Sequence, residues 1–423
     1  MAMIIIGAQP AFAMQTQERA IIKAVAAGLP LARQTLKQVV NINSGTMNFD
    51  GVHQVGDVFA AELSALGFQT GWVEGGDFGR AGHLVAMRGT KGPKILLIGH
   101  LDTVFAKTDA FQTFEPLPRD RVKGPGITDM KGGDVIIIAA MRALHDAGVL
   151  DQAQIKIVMT GDEESSGRPL NRSKAALIDA AKWADIALGF EDGDGDIKTA
   201  VIARRGSVRW TLKVTGRAAH SSQIFTDDVG YGAILETARI LNAFREGLAD
   251  MQNLTFNPGR IVGGTKANMD RATYSGTAFG KSNVVSQTAL VSGGIRAASG
   301  EQLAAAKARM QTIASNNLAH TSAALSFAEG YPPMAPTKAN KELLSLYSAI
   351  SKDLGYGEVL AVNPRKAGAA DISFTAGYVD AALDGLGLMG TGGHTKEETA
   401  DMTTLKRNIE KTALLIYRLS EGE

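Results

Sequence analysis

Apolar residues recur at helical spacing through residues 18–40, and again at Val52, Val55, Phe59, Leu63 and Leu66. Short apolar runs follow at 84–87, 95–98, 155–159 and 186–188, each bounded by turn residues. Between the second and third runs, residues 135–147 return to helical spacing and stop at Gly148, a glycine where a helix end favours one. Strands alternating with helices predict an α/β domain with a largely parallel mixed sheet. The texture changes near Gly206. Residues 207–215 alternate apolar and polar, and a helical stretch follows at 230–248. Strand patterns at 255–262 and 284–295, a helix at 301–316 and a strand at 323–327 complete a β-α-β-β-α-β order, the ferredoxin-like pattern. After Tyr331-Pro332-Pro333, residues 342–354 and 405–419 are helical again. The pattern therefore predicts a larger α/β domain, residues 14–206 and 332–423, interrupted by a small α+β domain at 207–331.

Residues 1–13 stand apart. Met3-Ile4-Ile5-Ile6 is apolar, and Ala11-Phe12-Ala13 fits the small-x-small pattern before a signal-peptidase cut. We read this segment as the remnant of an export signal, which places the mature protein in the periplasm or outside the cell. Without a working signal it is cytoplasmic, and the segment is a disordered tail.

Composition narrows the chemistry. The 423 residues carry 44 Lys plus Arg against 43 Asp plus Glu, a balance that gives no electrostatic reason for nucleic acid or an anionic membrane as partner. No stretch is long and apolar enough to span a bilayer. There is no cysteine, so a metal must sit on His, Asp or Glu. Only seven histidines are available.

Five positions suit a metal. His100-Leu101-Asp102 follows the apolar run 95–98, and ligands gather at the carboxyl ends of parallel strands. Two residues apart on extended chain, Asp102 can hold the second ring nitrogen of His100; a histidine satisfied in the core fits as well. Asp129 ends the tight loop Gly124-Pro125-Gly126-Ile127-Thr128. It is either a cap of the next helix or a bridging carboxylate. Asp162-Glu163-Glu164 follows another strand. Three such acids repel one another without a cation, although a solvated acidic loop is the plain alternative. Phe190-Glu191-Asp192 repeats the arrangement, and Gly392-Gly393-His394 puts a histidine on a glycine loop. Together, His100, Asp129, Glu164, Glu191 and His394 offer two imidazoles and three carboxylates, which suits a two-metal hydrolase.

These motifs, with Asp129-Met130-Lys131-Gly132-Gly133, resemble the di-zinc metallopeptidases related to carboxypeptidase G, acetylornithine deacetylase and succinyl-diaminopimelate desuccinylase. The resemblance runs from about Gln17 onward. It implies an inserted lid and dimerisation domain on a catalytic domain that holds two Zn2+ per chain, with Co2+ or Mn2+ as possible substitutes. It makes Asp129 the bridge, His100 and Glu191 the further ligands of one zinc, and Glu164 and His394 those of the other. Asp102 orients His100. Glu163 is the general base towards a metal-bridged water, and a cis peptide follows Asp129. A glutamate at 191 goes with carboxypeptidases and deacylases rather than dipeptidases. The implied substrate is a small peptide or N-acyl amino acid with a free carboxylate. A dipeptidase of the same fold, or a non-catalytic relative that binds peptide or metal, is the alternative.

In the lid, His220 resembles a histidine that donates a hydrogen bond to the reacting carbonyl. Asn283 and Arg296 resemble residues that contact substrate. The resemblance also implies a homodimer through residues 207–331, with His220 acting on the partner's site. Three features depart from the family pattern. Residues 266–281 form an additional hairpin, Asp371 follows an alanine instead of a threonine, and Tyr331 stands where a second substrate-binding arginine is expected. Tyr331 implies a preference for neutral residues beside the free carboxylate, unless Arg204, Arg205 or Lys281 takes the missing role. The histidines at 53, 83, 145 and 320 read as structural.

Overall fold

The computed structural model describes residues 14–270 and 273–422; the export-signal segment 1–13 lies outside them. The chain divides into two compact units. The first comprises the chain up to Ile202 with Pro336–Lys366 and Ala370–Glu423; the second comprises Ala203–Ala335 with Ala367–Ala369.

The first unit opens with two helices, α1 (Thr16–Val40) and α2 (Phe49–Ala65). Ile21, Val25, Leu36 and Val39 lie on one face of α1 and are buried, as their spacing dictates. Strands β1 (Gln69–Glu74), β2 (Gly82–Arg88) and β3 (Lys94–His100) follow, then α3 (Gly132–Asp146), β4 (Gln154–Thr160) and β5 (Ile186–Gly189). The sequence pattern missed β1. It is an edge strand whose Gln69, Gly71, Val73 and Glu74 face solvent, so it carries no apolar run.

The second unit runs β6 (Val208–Gly216), α4 (Gly232–Leu248), β7 (Thr255–Gly264), β8 (Lys266–Met269), β9 (Gly276–Phe279), β10 (Thr288–Arg296), α5 (Gly300–Ser315) and β11 (Thr321–Phe327). The chain then returns through α6 (Lys338–Asp353), β12 (Ala381–Leu383) and α7 (Thr403–Glu421) to the first unit.

The first unit's main sheet has the order β1-β2-β4-β3-β5-β12. Strands β4, β3, β5 and β12 are parallel; β2 runs antiparallel to β4, and the edge strand β1 antiparallel to β2. Ile95, Leu96, Leu97 and Ile98 of β3 are all buried, as a central strand covered on both faces requires. The register pairs His100 with Thr160 and Ile98 with Gly189, so the carboxyl ends of β3, β4 and β5 lie side by side.

The second unit's sheet has the order β7-β10-β6-β11, entirely antiparallel, with β8 and β9 paired as the expected hairpin. Trp210, Leu212 and Val214 alternate inward from β6 onto Ile240 and Phe244 of α4. β10 begins at Thr288 rather than at 284; residues 284–287 instead follow the chain beyond β6, with Val285 N–H donating to Ala219 O (3.0 Å).

Candidate metal centre

His100 is buried at the end of β3. Its Nδ1 lies 3.0 Å from the backbone carbonyl of Asp102, whereas the Asp102 carboxylate is 3.6 Å away. The expected carboxylate clamp is thus replaced by a carbonyl clamp, because the carboxylate is occupied elsewhere. Asp102 accepts from Glu163 N–H at 3.0 Å, Glu164 N–H at 3.2 Å and the Thr46 hydroxyl at 2.6 Å. It therefore fixes the acidic loop as well as the histidine's neighbourhood.

With Nδ1 turned to the carbonyl, Nε2 of His100 faces Asp129 Oδ1 at 3.0 Å and Glu191 Oε1 at 3.7 Å. On the other side, His394 Nε2 lies 2.9 Å from Asp129 Oδ2 and 3.1 Å from Glu164 Oε2. Each oxygen of Asp129 thus meets a different imidazole, and each imidazole meets one further carboxylate. His100, Asp129 and Glu164 each offer a ligand atom within 4.8 Å of the others. Three carboxylates crowded on two histidines demand positive charge, so the donor set fits divalent cations. The electrostatics agree. Burial opposes ionisation of Asp129, yet the two imidazoles hold its carboxyl well below the usual range. The carboxylates of Asp129 and Glu164 push His394 up to about 11. Burial opposes a charged His100 too, but Asp129 and Glu191 raise it well above the ordinary imidazole value.

The turn that presents Asp129 is built by residues far apart in sequence. The Asp129–Met130 peptide is cis, as the resemblance implies. Glu398, which the sequence reading missed, is buried and accepts from the N–H groups of Gly126 (2.9 Å), Thr128 (2.8 Å) and Asp129 (3.2 Å). At Gly133 a Cβ would strike the Phe190 carbonyl oxygen, so glycine lets α3 approach the segment carrying Glu191.

The three acids after β4 separate. Asp162 turns away and receives Lys174 Nζ at 2.8 Å, Gly167 N–H at 2.8 Å and the Ser173 hydroxyl at 2.6 Å. The cation it needs is a lysine of this chain, not a metal. Lys174 is fully buried and also bonds Asp371 at 2.9 Å. Burial, reinforced by Asp371 and Glu164 and opposed by His100 and Lys174, pushes the Glu163 carboxyl well above the usual range.

In the second unit, His220 and Asn283 are neighbours. Ser221 N–H donates to Asn283 O at 2.9 Å, and His220 pairs with Val284. His220 Nδ1 accepts from Ser222 N–H at 3.3 Å, which leaves Nε2 as the protonated donor nitrogen. Arg296 and Tyr331 lie elsewhere in this unit. Arg296 ends β10, pairing with Thr255, and Tyr331 pairs with Ser207. The eight steps of β10 alone span about 26 Å, so His220 and Asn283 stand at one end of the sheet and Arg296 and Tyr331 at the other. Arg205 donates to the Thr255 hydroxyl at 3.0 Å, next to Arg296; Arg204 donates to Gly368 O at 3.1 Å; Lys281 is exposed. Of the other histidines, buried His83 bonds Ser173 O at 2.7 Å, and His320 reaches Asp227 O at 2.5 Å.

The chain is 26% identical over 412 residues to carboxypeptidase G2 of Pseudomonas sp. (strain RS-16), covering 97% of this chain and 94% of that protein. It is 32% identical over 203 residues to succinyl-diaminopimelate desuccinylase of Maricaulis maris, covering 45% of this chain and 48% of that one. The aminopeptidase PepT of Bacillus cereus shares the fold, with a TM-score of 0.70 at 18% identity over 92% of this chain and 98% of its own. So does the M20 family metallo-carboxypeptidase Sso-CP2 of Sulfolobus solfataricus, with a TM-score of 0.66 at 15% identity over 92% and 99%. The family model for peptidase family M20/M25/M40 matches residues 96–419, a span that contains all five converging side chains, and the chain belongs to that family.

Proposed function

We propose that this metal-dependent hydrolase holds two zinc ions and cuts the amide bond beside a free carboxylate, as a carboxypeptidase or N-acyl-amino-acid deacylase. One observation carries the reading: Asp129 presents one carboxylate oxygen to His100 and the other to His394. His100, Glu191 and Asp129 would hold one ion, and Asp129, Glu164 and His394 the other. Ions bound there supply Lewis acidity and bring the pKa of water towards neutrality.

The chain's own groups do the rest. Glu163 takes the proton of the attacking water and passes it to the leaving nitrogen. Asp102 fixes the backbone on which Glu163 and Glu164 stand. His220 donates a hydrogen bond from Nε2–H to the carbonyl oxygen as negative charge develops there. The planar fork of Arg296 suits the substrate's free carboxylate. The reading includes a homodimer through residues 207–331 in which His220 acts on the partner's site, since one small substrate cannot touch both ends of β10.

The test is a screen of the zinc-loaded protein against N-acyl amino acids and dipeptides, following release of free amino acid, with Glu163→Gln alongside. Turnover should fall by several orders of magnitude in Glu163→Gln with about two metals per chain retained, while Glu164→Gln should lose metal. A Glu163→Gln protein that loses its metal would refute the assignment of the base.

A further inference from the structure

The first unit contains a hollow of about 470 Å3 bounded by Glu164 on one side and by the loops after α1 and β3 on the other. That volume lies within the range of small-molecule sites. Its walls include Thr46, Met47, Thr103, Val104 and Lys107. Met47 is 67% exposed and Val104 41% exposed, although both stand on loops held firmly in place. Thr46 N–H donates to Thr103 O at 3.1 Å and Thr103 N–H to Ser44 O at 2.9 Å. Gly45 permits this contact, since a Cβ there would strike the Phe105 carbonyl oxygen. The Thr46 hydroxyl reaches Asp102, the carboxylate that also carries the Glu163 and Glu164 backbones. The hollow is therefore fastened to the reactive loop, and its geometry is set before anything binds.

Two apolar side chains left open to water on a rigid wall beside a reactive centre call for an apolar occupant. Lys107 is the only cation on the walls; it is exposed and has no acidic partner among the described residues. We propose that this hollow seats the substrate's acyl group, and that it selects acyl groups with an apolar or aromatic body and a distal negative charge. The inference rests on the function proposed above. There Glu164 is a metal ligand, and the same Glu164 walls the hollow, so a group bound beside the reacting bond on the first unit faces it. Met47 and Val104 cover the apolar body, and Lys107 meets the charge.

The probes are N-acetyl-, N-benzoyl- and N-(4-carboxybenzoyl)-L-alanine, with kcat/KM measured from alanine released by the zinc-loaded full chain. The benzoyl substrate should exceed the acetyl one at least tenfold, and the carboxybenzoyl substrate should exceed the benzoyl one. Met47→Ser and Val104→Ser should each lower the benzoyl-to-acetyl ratio severalfold. Lys107→Glu should reverse the carboxybenzoyl-to-benzoyl preference. These side chains are exposed, so their replacement does not threaten the core. A preference for acetyl, or ratios that no variant moves, overturns the proposal. If the chain hydrolyses none of the three, the parent reading fails instead. Calorimetric binding of N-benzoyl-L-alanine to Glu163→Gln protein then decides the hollow by itself: severalfold weakening by Met47→Ser supports it, and equal affinity overturns it.

Discussion

Lys174 is the perturbation that most directly probes how the acidic loop is held. Its ammonium lies between Asp162 at 2.8 Å and Asp371 at 2.9 Å, with no exposure to solvent. Lys174→Met keeps the length and removes the charge. Asp162 would retain Gly167 N–H and the Ser173 hydroxyl, and Asp371 would retain the Thr160 hydroxyl. Two buried carboxylates would remain without their shared cation. Removing one partner of a buried ion pair costs about 3–5 kcal/mol, which in a unit of this size lowers the Tm by roughly 10 °C. The pH dependence has a definite sign. In the wild type burial works against the charged Asp162, but Lys174, His83 and the Ser173 hydroxyl together hold it below the ordinary carboxylate range. That contribution is present above the unfolded carboxylate's pKa and is lost as pH falls through the folded one. In Lys174→Met burial, no longer offset by that ammonium, acts to push the Asp162 carboxyl up, so the variant loses stability as pH rises. The gap between the two proteins should therefore widen from about pH 4 to pH 7. Thermal unfolding followed by circular dichroism across that range measures it. Adding Asp371→Asn to the variant should recover part of the loss. A deficit below about 1 kcal/mol, or one that does not change with pH, would refute the reasoning.

Lys411 should behave in the opposite sense. It is buried with its Nζ 4.7 Å from the Tyr347 ring centroid, and burial, with Arg407 adding to it, pushes the ammonium down to about 7. Lys411→Met should stabilise by about 3 kcal/mol at pH 6, after allowing for the ring contact. The gain should shrink as pH rises from 7 towards 10, because the wild type sheds that charge over this window; chemical denaturation at several pH values tests it. Gly133→Ala should push the Phe190–Glu191 segment away from α3, costing about 1–3 kcal/mol and weakening metal binding in a chelator competition. Asp102→Asn keeps the shape but turns one acceptor into a donor that faces a backbone N–H; metal affinity should fall by about 10- to 100-fold, read by the same competition.

The sequence revealed most where chemistry and pattern coincide. Each converging side chain follows an apolar strand or a glycine turn, so His100, Asp129, Glu164, Glu191 and His394 could be found without coordinates. What Asp162 does instead could not be read, because the lysine that claims it lies 12 residues on with no motif to mark it. Glu398 is 269 residues from the Asp129 N–H it accepts, and nothing local in either segment signals the pairing. β1 was hidden by its polar residues, since an edge strand has no need of apolar faces. The carbonyl clamp on His100 escaped notice for a different reason: side-chain spacing says where a carboxylate can reach, not which other donors have already engaged it.

The bond between Arg418 and Glu18 bears on how the protein is made. Arg418 Nε donates to Glu18 at 2.8 Å and Nη2 to Asp353 at 2.7 Å, closing a contact across 400 residues. Residues 203–335 form a nearly continuous unit, but the first unit lacks α6, β12 and α7 until the chain is complete. At roughly 5–20 residues per second, a ribosome needs on the order of 10–40 s to synthesise the chain beyond Ile202. During that interval the apolar side chains of α1 and α3 that α7 will cover have no permanent neighbour. The inserted unit can be finished while its host is still waiting for α7, so the apolar faces that α7 covers are the ones exposed longest during synthesis.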